Sequence, residues 1–150
     1  MGHTVNSVLI NAPYELVFDI SNHIERWTEL FGDEYVKAEV LSREGNKITF
    51  KLHDNEGKSW VSYRLLFKSE KFTYASRKEP MFPFKYMKIV WFYHEAPEGT
   101  LMTWIQDFEM DPQAKYNDEQ VEGFINEHSQ HNLKIFKKVI EKEAAVTAKR

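Results

Sequence analysis

Apolar and polar side chains alternate through most of the chain between residues 35 and 110, and a period of two is typical of β-strands. Short turn sequences such as Glu44-Gly45-Asn46 and Ala96-Pro97-Glu98-Gly99 separate the alternating segments. Because each turn joins two neighbouring segments directly, we expect a continuous antiparallel meander. The predicted strands are Tyr35–Arg43, Lys47–His53, Ser59–Lys68, Phe72–Arg77, Phe84–His94 and Leu101–Met110.

A further strand and two short helices are predicted before the meander. The strand covers Thr4–Asn11, which is rich in Val and Ile. Pro13 is a helix-start signal and favours a helix over Tyr14–Ile20. Asn22 is predicted to be the N-cap of a second helix over roughly His23–Phe31.

The chain ends in a periodic segment that predicts one long amphipathic helix over about Asp118–Ala145. Its predicted buried face consists of Val121, Phe124, Ile125, His128, Asn132, Ile135, Phe136, Val139 and Ile140. A twisted sheet wrapped around one long helix tends to enclose a cavity that side chains do not fill. We therefore predict a single α+β domain over residues 1–150, with a seven-stranded antiparallel sheet around the C-terminal helix and an interior cavity.

Arg64 is the residue that most strongly departs from this pattern. Alternation within the Ser59–Lys68 strand puts Trp60, Ser62 and Arg64 on one face, and the opposite face is apolar. A guanidinium keeps its charge when buried, so it needs a counter-ion, a polar cavity or a ligand. The alternative is that the stem of Arg64 packs against the sheet while its head reaches solvent.

Polar residues interrupt apolar faces in four separate elements: Ser62, Arg64, Arg77, Gln106 and Asn132. Any one of them is more simply explained as a buried group with its hydrogen bonds satisfied. Their convergence on one interior, together with Trp27, Trp60, Trp91 and Trp104, favours a ligand site.

Composition narrows the function classes. The net charge is −3 and no block of Lys and Arg interleaves with the aromatic residues, so a nucleic-acid surface is not expected. The absence of cysteine excludes disulfides and thiolate metal sites and is typical of a reducing compartment. No apolar run approaches the length of a membrane span and the start lacks the pattern of a signal peptide. We therefore expect a cytoplasmic protein that makes no membrane contact.

Other chemistries have little support. His128 and His131 have the i, i+3 spacing of a possible metal pair, but no third ligand occurs in a recognisable context. Sequence motifs of serine hydrolases, P-loop nucleotidases and dinucleotide-binding proteins do not occur. We expect no metal and no cofactor.

Several segments carry a family resemblance that covers essentially the whole chain. They are Asn11–Asp19, Ile24–Phe31, Trp60–Arg64, Phe84–Met87 and Trp104–Met110. Through them the chain resembles the aromatase/cyclases of bacterial type II polyketide synthases, in particular the single-domain tetracenomycin type, within the helix-grip (START-like, Bet v 1-like) superfamily. The chain departs from that family at Lys58, where relatives commonly have Trp, and at Gln106, where some relatives have His.

The resemblance implies that the protein folds a poly-β-ketone held on an acyl carrier protein, closes its first ring by aldol addition and dehydrates that ring. The family's catalytic positions correspond to Arg64, Ser62 and Tyr35. The implied substrate-binding residues are Trp27, Trp60, Arg77, Phe84, Met87, Trp91, Trp104, Gln106, His128 and Asn132. The partners would be the carrier protein and, indirectly, the ketosynthase/chain-length-factor pair, and we expect a monomer.

A second hypothesis comes from a different functional class. Many helix-grip proteins only carry a flat hydrophobic ligand, such as a quinone, a sterol or a finished polyphenol. The same aromatic cavity would serve such a carrier, and Arg64 distinguishes the two functions. Its removal should mainly weaken binding by a carrier, whereas turnover by a cyclase should collapse.

Overall fold

The structure is a computed structural model, and it describes residues 1–148. The seven strands are β1 Gly2–Ile10, β2 Tyr35–Glu44, β3 Lys47–Asp54, β4 Ser59–Phe67, β5 Phe72–Arg77, β6 Phe84–Ala96 and β7 Gly99–Met110. The helices are α1 Tyr14–Ser21, a 3-10 turn Ile24–Arg26, α2 Trp27–Leu30 and α3 Asp118–Ala148. The predicted order of elements is therefore confirmed.

All seven strands form one antiparallel sheet in the order β1-β7-β6-β5-β4-β3-β2. The meander from β2 to β7 pairs each strand with its neighbour in sequence, and β1 closes the other edge against β7. The pairing register shifts at two places along β2, between Tyr35 and Lys37 and between Val40 and Ser42. It also shifts along β6 between Phe84 and Tyr86. These shifts mark bulges. Bulges increase local bending and twist, so the sheet curls around α3. The predicted helix-grip fold is confirmed.

The buried face of α3 differs from the predicted one. Phe136 and Ile140 are fully buried as expected, but Leu133 is also fully buried. Phe124 is half exposed and packs edge-on against Tyr116, with the ring centroids 5.0 Å apart. The prediction that Phe124 and His128 belong to the buried face was wrong, because both lie beside the arc of α3 that contacts the sheet; the side chain of His128 is 53% exposed.

The turn after α1 also differs from the prediction. Asn22 is the C-cap of α1, and its backbone N–H donates to the carbonyl oxygens of Phe18 and Ile20. His23 is the N-cap of the following 3-10 turn, so the predicted N-cap role of Asn22 was wrong. The Asn22 side chain is consequently free to reach into the fold.

The main core lies between α3, the two short helices and the concave face of the sheet. Its fully buried residues include Ile10, Val17, Ile24, Leu133 and Phe136. None of the helices within residues 1–148 has the length and apolar character needed to cross a bilayer.

Candidate active site

A cavity of about 320 Å³ lies between the concave face of the sheet and α3. Every residue that the sequence predicts for the site lines it: Trp27, Tyr35, Trp60, Ser62, Arg64, Arg77, Phe84, Met87, Trp91, Trp104, Gln106, His128 and Asn132. Further lining residues that the sequence reasoning missed are Phe31, Glu34, Phe50, Leu52, Ala75, Ser76, Ile89, Ile125, Ser129 and Phe136.

Arg64 is buried on the floor of this cavity, with 2% of its surface exposed. Its Nε donates to Oδ1 of Asn22 at 3.2 Å and its Nη2 donates to Oγ1 of Thr73 at 2.9 Å. No carboxylate of residues 1–148 lies within salt-bridge distance of it. Burial lowers the pKa of Arg64 to about 10, so the guanidinium is still protonated at neutral pH. Burying a charged guanidinium without a carboxylate partner costs folding free energy. An anionic or strongly polar ligand would reduce that cost.

A polar network holds Arg64 in place from two sides. Asn22 also donates through Nδ2 to the hydroxyl of Tyr93 at 3.0 Å. That hydroxyl lies 2.8 Å from Oγ of Ser21. Thr73 is fully buried on β5, next to the Arg64 position on β4. Supported hydrogen-bond partners of this kind keep a charged group in one orientation.

Aromatic rings complete the environment of Arg64. Its guanidinium carbon lies 4.0 Å from the ring centroid of Trp91 and 5.6 Å from that of Trp27. Trp91 stacks on Trp104, with centroids 4.6 Å apart and planes inclined by 6°. Phe136 meets both indoles edge-on at 5.9 Å. The cation is therefore held by π-faces, and the walls present flat surfaces to a planar ligand.

A second arginine lies on the strand next to that of Arg64 and on the same inner face of the sheet. Arg77 is paired with Ser62 in the β4–β5 register, so their side chains share the inner face. The guanidinium of Arg77 lies 5.1 Å from the ring of Trp60 and 5.8 Å from the ring of Phe84. Burial lowers the pKa of Arg77, and no carboxylate of residues 1–148 forms a salt bridge with it. The cavity thus contains two cations without acid partners.

Tyr35 lies between these aromatic walls. Its ring stacks against Trp27 with centroids 6.4 Å apart and meets Trp60 at 6.2 Å. Burial, reinforced by the adjacent Glu34 carboxylate, raises the pKa of Tyr35 well above its usual value of 10, although Arg77 and Arg64 oppose the shift. A phenol of this kind keeps its proton and is suited to donate it, not to act as a base.

Glu34 is the one carboxylate among the cavity-lining residues, and α3 provides its partners. Its Oε2 lies 3.0 Å from Nε2 of His128 and accepts from Nδ2 of Asn132 at 3.2 Å. The sequence analysis grouped Asn132 with Gln106 and Arg64 around one interior, but its amide is engaged by Glu34 and His128 instead. Oε1 of Gln106 accepts from the Ser129 hydroxyl at 3.0 Å. Asn132 and Gln106 therefore each tie α3 to another element.

Glu34 and His128 should make the free energy of unfolding depend on pH. Burial raises the pKa of Glu34, but hydrogen bonding from His128, with further help from Tyr35 and Asn132, leaves it below the usual 4.5. The hydrogen bond to Glu34 raises the pKa of His128 above 6.5. A depressed acid stabilises the fold above its unfolded pKa, and a raised histidine stabilises it below its unfolded pKa. The pair should therefore stabilise most between pH values of about 4.5 and 6.5.

This prediction can be checked by urea unfolding of the wild type and His128→Gln over a pH range that extends below 4.5 and above 6.5. The stability difference should shrink as the pH rises through the pKa of His128 or falls through that of Glu34. A difference that is independent of pH would contradict it. His131→Gln, which changes the exposed histidine one turn further along α3, is the matched control.

Metal binding was considered for His128 and His131. No group of three or more His, Cys, Asp or Glu side chains in residues 1–148 is arranged to hold a metal ion. Nε2 of His128 lies 3.0 Å from Glu34 instead.

The sequence signals for the missed residues were weak. Glu34 lies in the turn between α2 and β2, where periodicity carries no information. Asn22 resembled a helix cap, and Thr73 is a residue type common in strands, so neither stood out as a partner of Arg64. The partners of Arg64 thus become visible only when the strands are paired.

The sequence of the chain matches a known protein family. Residues 1–141 match the family described as "Polyketide cyclase / dehydrase and lipid transport". The chain belongs to this family. A curated family relative from Streptomyces cyaneus, described as a "Putative polyketide cyclase", is 44% identical over 97% of this chain and 98% of its own length. The resemblance to polyketide cyclases inferred from the motifs is confirmed.

Solved structures share the fold of this cyclase/dehydrase family member. Zhui aromatase/cyclase from Streptomyces sp. R1128 superposes with a TM-score of 0.76 at 18% identity, covering 95% of this chain and 93% of that one. A START superfamily protein from Mycobacterium smegmatis superposes with a TM-score of 0.75 at 16% identity, covering 95% and 99%. At these identities the likeness establishes the helix-grip fold and nothing finer.

Proposed function

We propose that this protein is an aromatase/cyclase that closes the first ring of an acyl-carrier-bound poly-β-ketone by aldol addition and then dehydrates it. One observation carries the proposal: two arginines without acid partners face a cavity whose walls are aromatic. Membership of the family and the description of the Streptomyces cyaneus relative support a role in polyketide cyclisation. The choice of the first ring and of the aldol step comes from the resemblance to the aromatase/cyclases, and the chemistry of the site is compatible with it.

The first requirement of such a reaction is to hold one methylene against one distant carbonyl. A methylene between two ketones is already acidic, so positioning matters more than a strong base. Correct positioning can contribute roughly 7–11 kcal/mol to lowering a barrier. Trp91, Trp104 and Trp27 provide flat surfaces against which a conjugated enol can stack.

The second requirement is to stabilise the oxyanion that develops at the attacked carbonyl. Arg64 is suited to this role because it is planar, charged and fixed by Asn22 and Thr73. A single preorganised donor of this kind is worth roughly 3–4 kcal/mol of barrier. Tyr35 then donates its proton to the oxygen, and Ser62 and Arg77 orient neighbouring carbonyls of the chain.

The size of the cavity suggests which part of the substrate is enclosed. A volume of about 320 Å³ lies at the lower end of the range of ligand cavities, roughly 300–1,000 Å³, and accommodates a forming ring with its oxygens. We infer that the rest of the chain and the carrier protein remain outside the cavity, and that no cofactor takes part.

Reconstitution tests the function directly. The ketosynthase pair and the acyl carrier protein should give a mixture of spontaneously cyclised products on their own. Adding this protein should convert that mixture to one product with an aromatic first ring, as judged by chromatography and mass spectrometry. An unchanged mixture would contradict the proposal.

The second candidate is a carrier of a flat hydrophobic ligand, and the aromatic walls favour it equally. The family description also names lipid transport. A carrier would bind a quinone, sterol or polyphenol without changing the products of the reconstituted system. The two arginines without carboxylate partners favour the cyclase, because a neutral flat ligand gives little compensation for the buried cation of Arg64 and the partly buried cation of Arg77.

A further inference from the structure

Glu34, Tyr35 and His128 connect the interior of the cavity with its surface. Tyr35 lies among the aromatic walls, and the neighbouring Glu34 carboxylate lies 3.0 Å from Nε2 of His128. The His128 side chain is 53% exposed, whereas that of Glu34 is 28% exposed. The imidazole is therefore the most exposed of these three groups, each of which can carry a proton.

We propose that Glu34 and His128 form a proton relay that recharges Tyr35 from solvent during ring closure and dehydration. The inference rests on the proposed function. The geometry supplies its main support, because Glu34 bonds to His128 although Arg64 and Arg77 face the same cavity. A carboxylate used only to neutralise the cavity would pair with one of those arginines.

The proton balance of the reaction shows what the relay does. When the new carbon–carbon bond forms, Tyr35 gives its proton to the carbonyl oxygen and becomes a phenolate. The attacking carbon belongs to an enolate, because its methylene proton has already left to water. Imidazolium at His128 then protonates Glu34, and Glu34 protonates the phenolate. His128 takes a proton from solvent, so one proton enters at the surface for each one that left carbon.

Dehydration repeats the same sequence. The departing hydroxyl takes a proton from Tyr35 and leaves as water, while the adjacent carbon loses a proton to solvent. The relay again returns one proton to Tyr35. No redox step and no metal ion is needed, and the product is an aromatic ring plus one water molecule.

The charged surroundings of the relay are consistent with this direction of transfer. Glu34 and Asp33, in the turn before β2, both raise the pKa of His128, which favours its protonated form. Arg77 and Arg64, from β5 and β4, stabilise a transient phenolate at Tyr35. Asn132 donates to the same Glu34 oxygen as His128 and fixes the carboxylate between them. Asn132 is thus a positioning residue for the relay.

The test is the pH dependence of the dehydration step in a single turnover by His128→Gln, because ring closure uses the proton that Tyr35 already holds and dehydration needs the proton that the relay returns. In the wild type the rate should fall as the pH rises through the pKa of His128, because neutral imidazole cannot supply protons. His128→Gln should be slower by roughly tenfold or more and should lose this pH dependence. Glu34→Gln should behave in the same way. His131→Gln, an exposed histidine on the same helix, should keep the wild-type rate and profile.

A second measurement, the rescue of activity by added imidazole, distinguishes a proton relay from a contact that only stabilises the structure. Added imidazole should restore much of the rate of His128→Ala, because a small base can enter at this exposed position, whereas it should not restore Glu34→Gln. If His128→Gln keeps the wild-type pH profile while the wild type still directs ring closure, the relay is wrong and the proposed function stands. If the wild type itself does not change the products, the proposed function fails and the relay fails with it.

Discussion

Arg64→Met should lower the rate of ring closure by roughly 10²–10³-fold while leaving the protein folded. Methionine keeps much of the length and apolar stem of arginine but provides no positive charge and no N–H donors. Replacing a buried ion by an apolar side chain is often neutral for stability, although Asn22 and Thr73 each lose a hydrogen bond. Thermal unfolding and single-turnover kinetics of the same preparations measure the two effects separately.

Two control variants sharpen this test. Arg43→Met removes a half-exposed arginine that pairs with Glu25 on the surface, and it should have no effect on ring closure. Arg64→Lys should recover only a small part of the rate, because an ammonium lacks the planar fork that Asn22 and Thr73 hold. Ring closure that survives in Arg64→Met, together with weakened ligand binding, would favour the carrier over the cyclase.

Phe136→Ala should cause the largest loss of stability among single substitutions on α3, about 3–5 kcal/mol. Phe136 is fully buried and meets Phe31 edge-on at 5.1 Å as well as Trp91 and Trp104. Truncation would leave a cavity beside the stacked indoles of Trp91 and Trp104, and the rigid sheet cannot move to fill that cavity. Urea unfolding should show a lower midpoint with an unchanged slope.

Phe124→Ala is the matched control for this prediction. It removes the same side chain from the same helix, but at a position that is 50% exposed. The change should stay within about 0.5 kcal/mol, apart from the lost contact with Tyr116. Equal destabilisation by the two variants would mean that the rotation of α3 against the sheet is not the one described.

The contrast between the two phenylalanines indicates what the sequence alone could predict. A strand has only two faces, so alternation was sufficient to assign Ser62, Arg64 and Arg77 to the inner one. A helix presents its residues around a full circle, and an apolar residue just beside the buried arc has the same spacing as one within it. For this reason Phe124 was wrongly assigned to the buried face and Leu133 was left out of it.

The hydrogen-bond partners of the polar residues were harder to predict from the sequence than the positions of these residues in the fold. Arg64 could be recognised as a misfit within its own strand, but Asn22 and Thr73 come from two other elements. Glu34 lies in a turn without periodicity, and only the packing of α3 brings it to His128. Hydrogen bonds between distant segments depend on the pairing of whole elements, which local patterns do not specify.

The distribution of tryptophan has a practical consequence. All four tryptophans of the chain line the cavity, and Trp91 is in contact with the Arg64 guanidinium and stacked on Trp104. The intrinsic indole fluorescence of the wild-type protein therefore originates entirely from the walls of the site. A ligand that enters displaces water from these rings or draws the cation away from Trp91, and either event changes the emission. Occupancy of the cavity can thus be followed optically in the unlabelled protein, with no reporter group introduced near the chemistry.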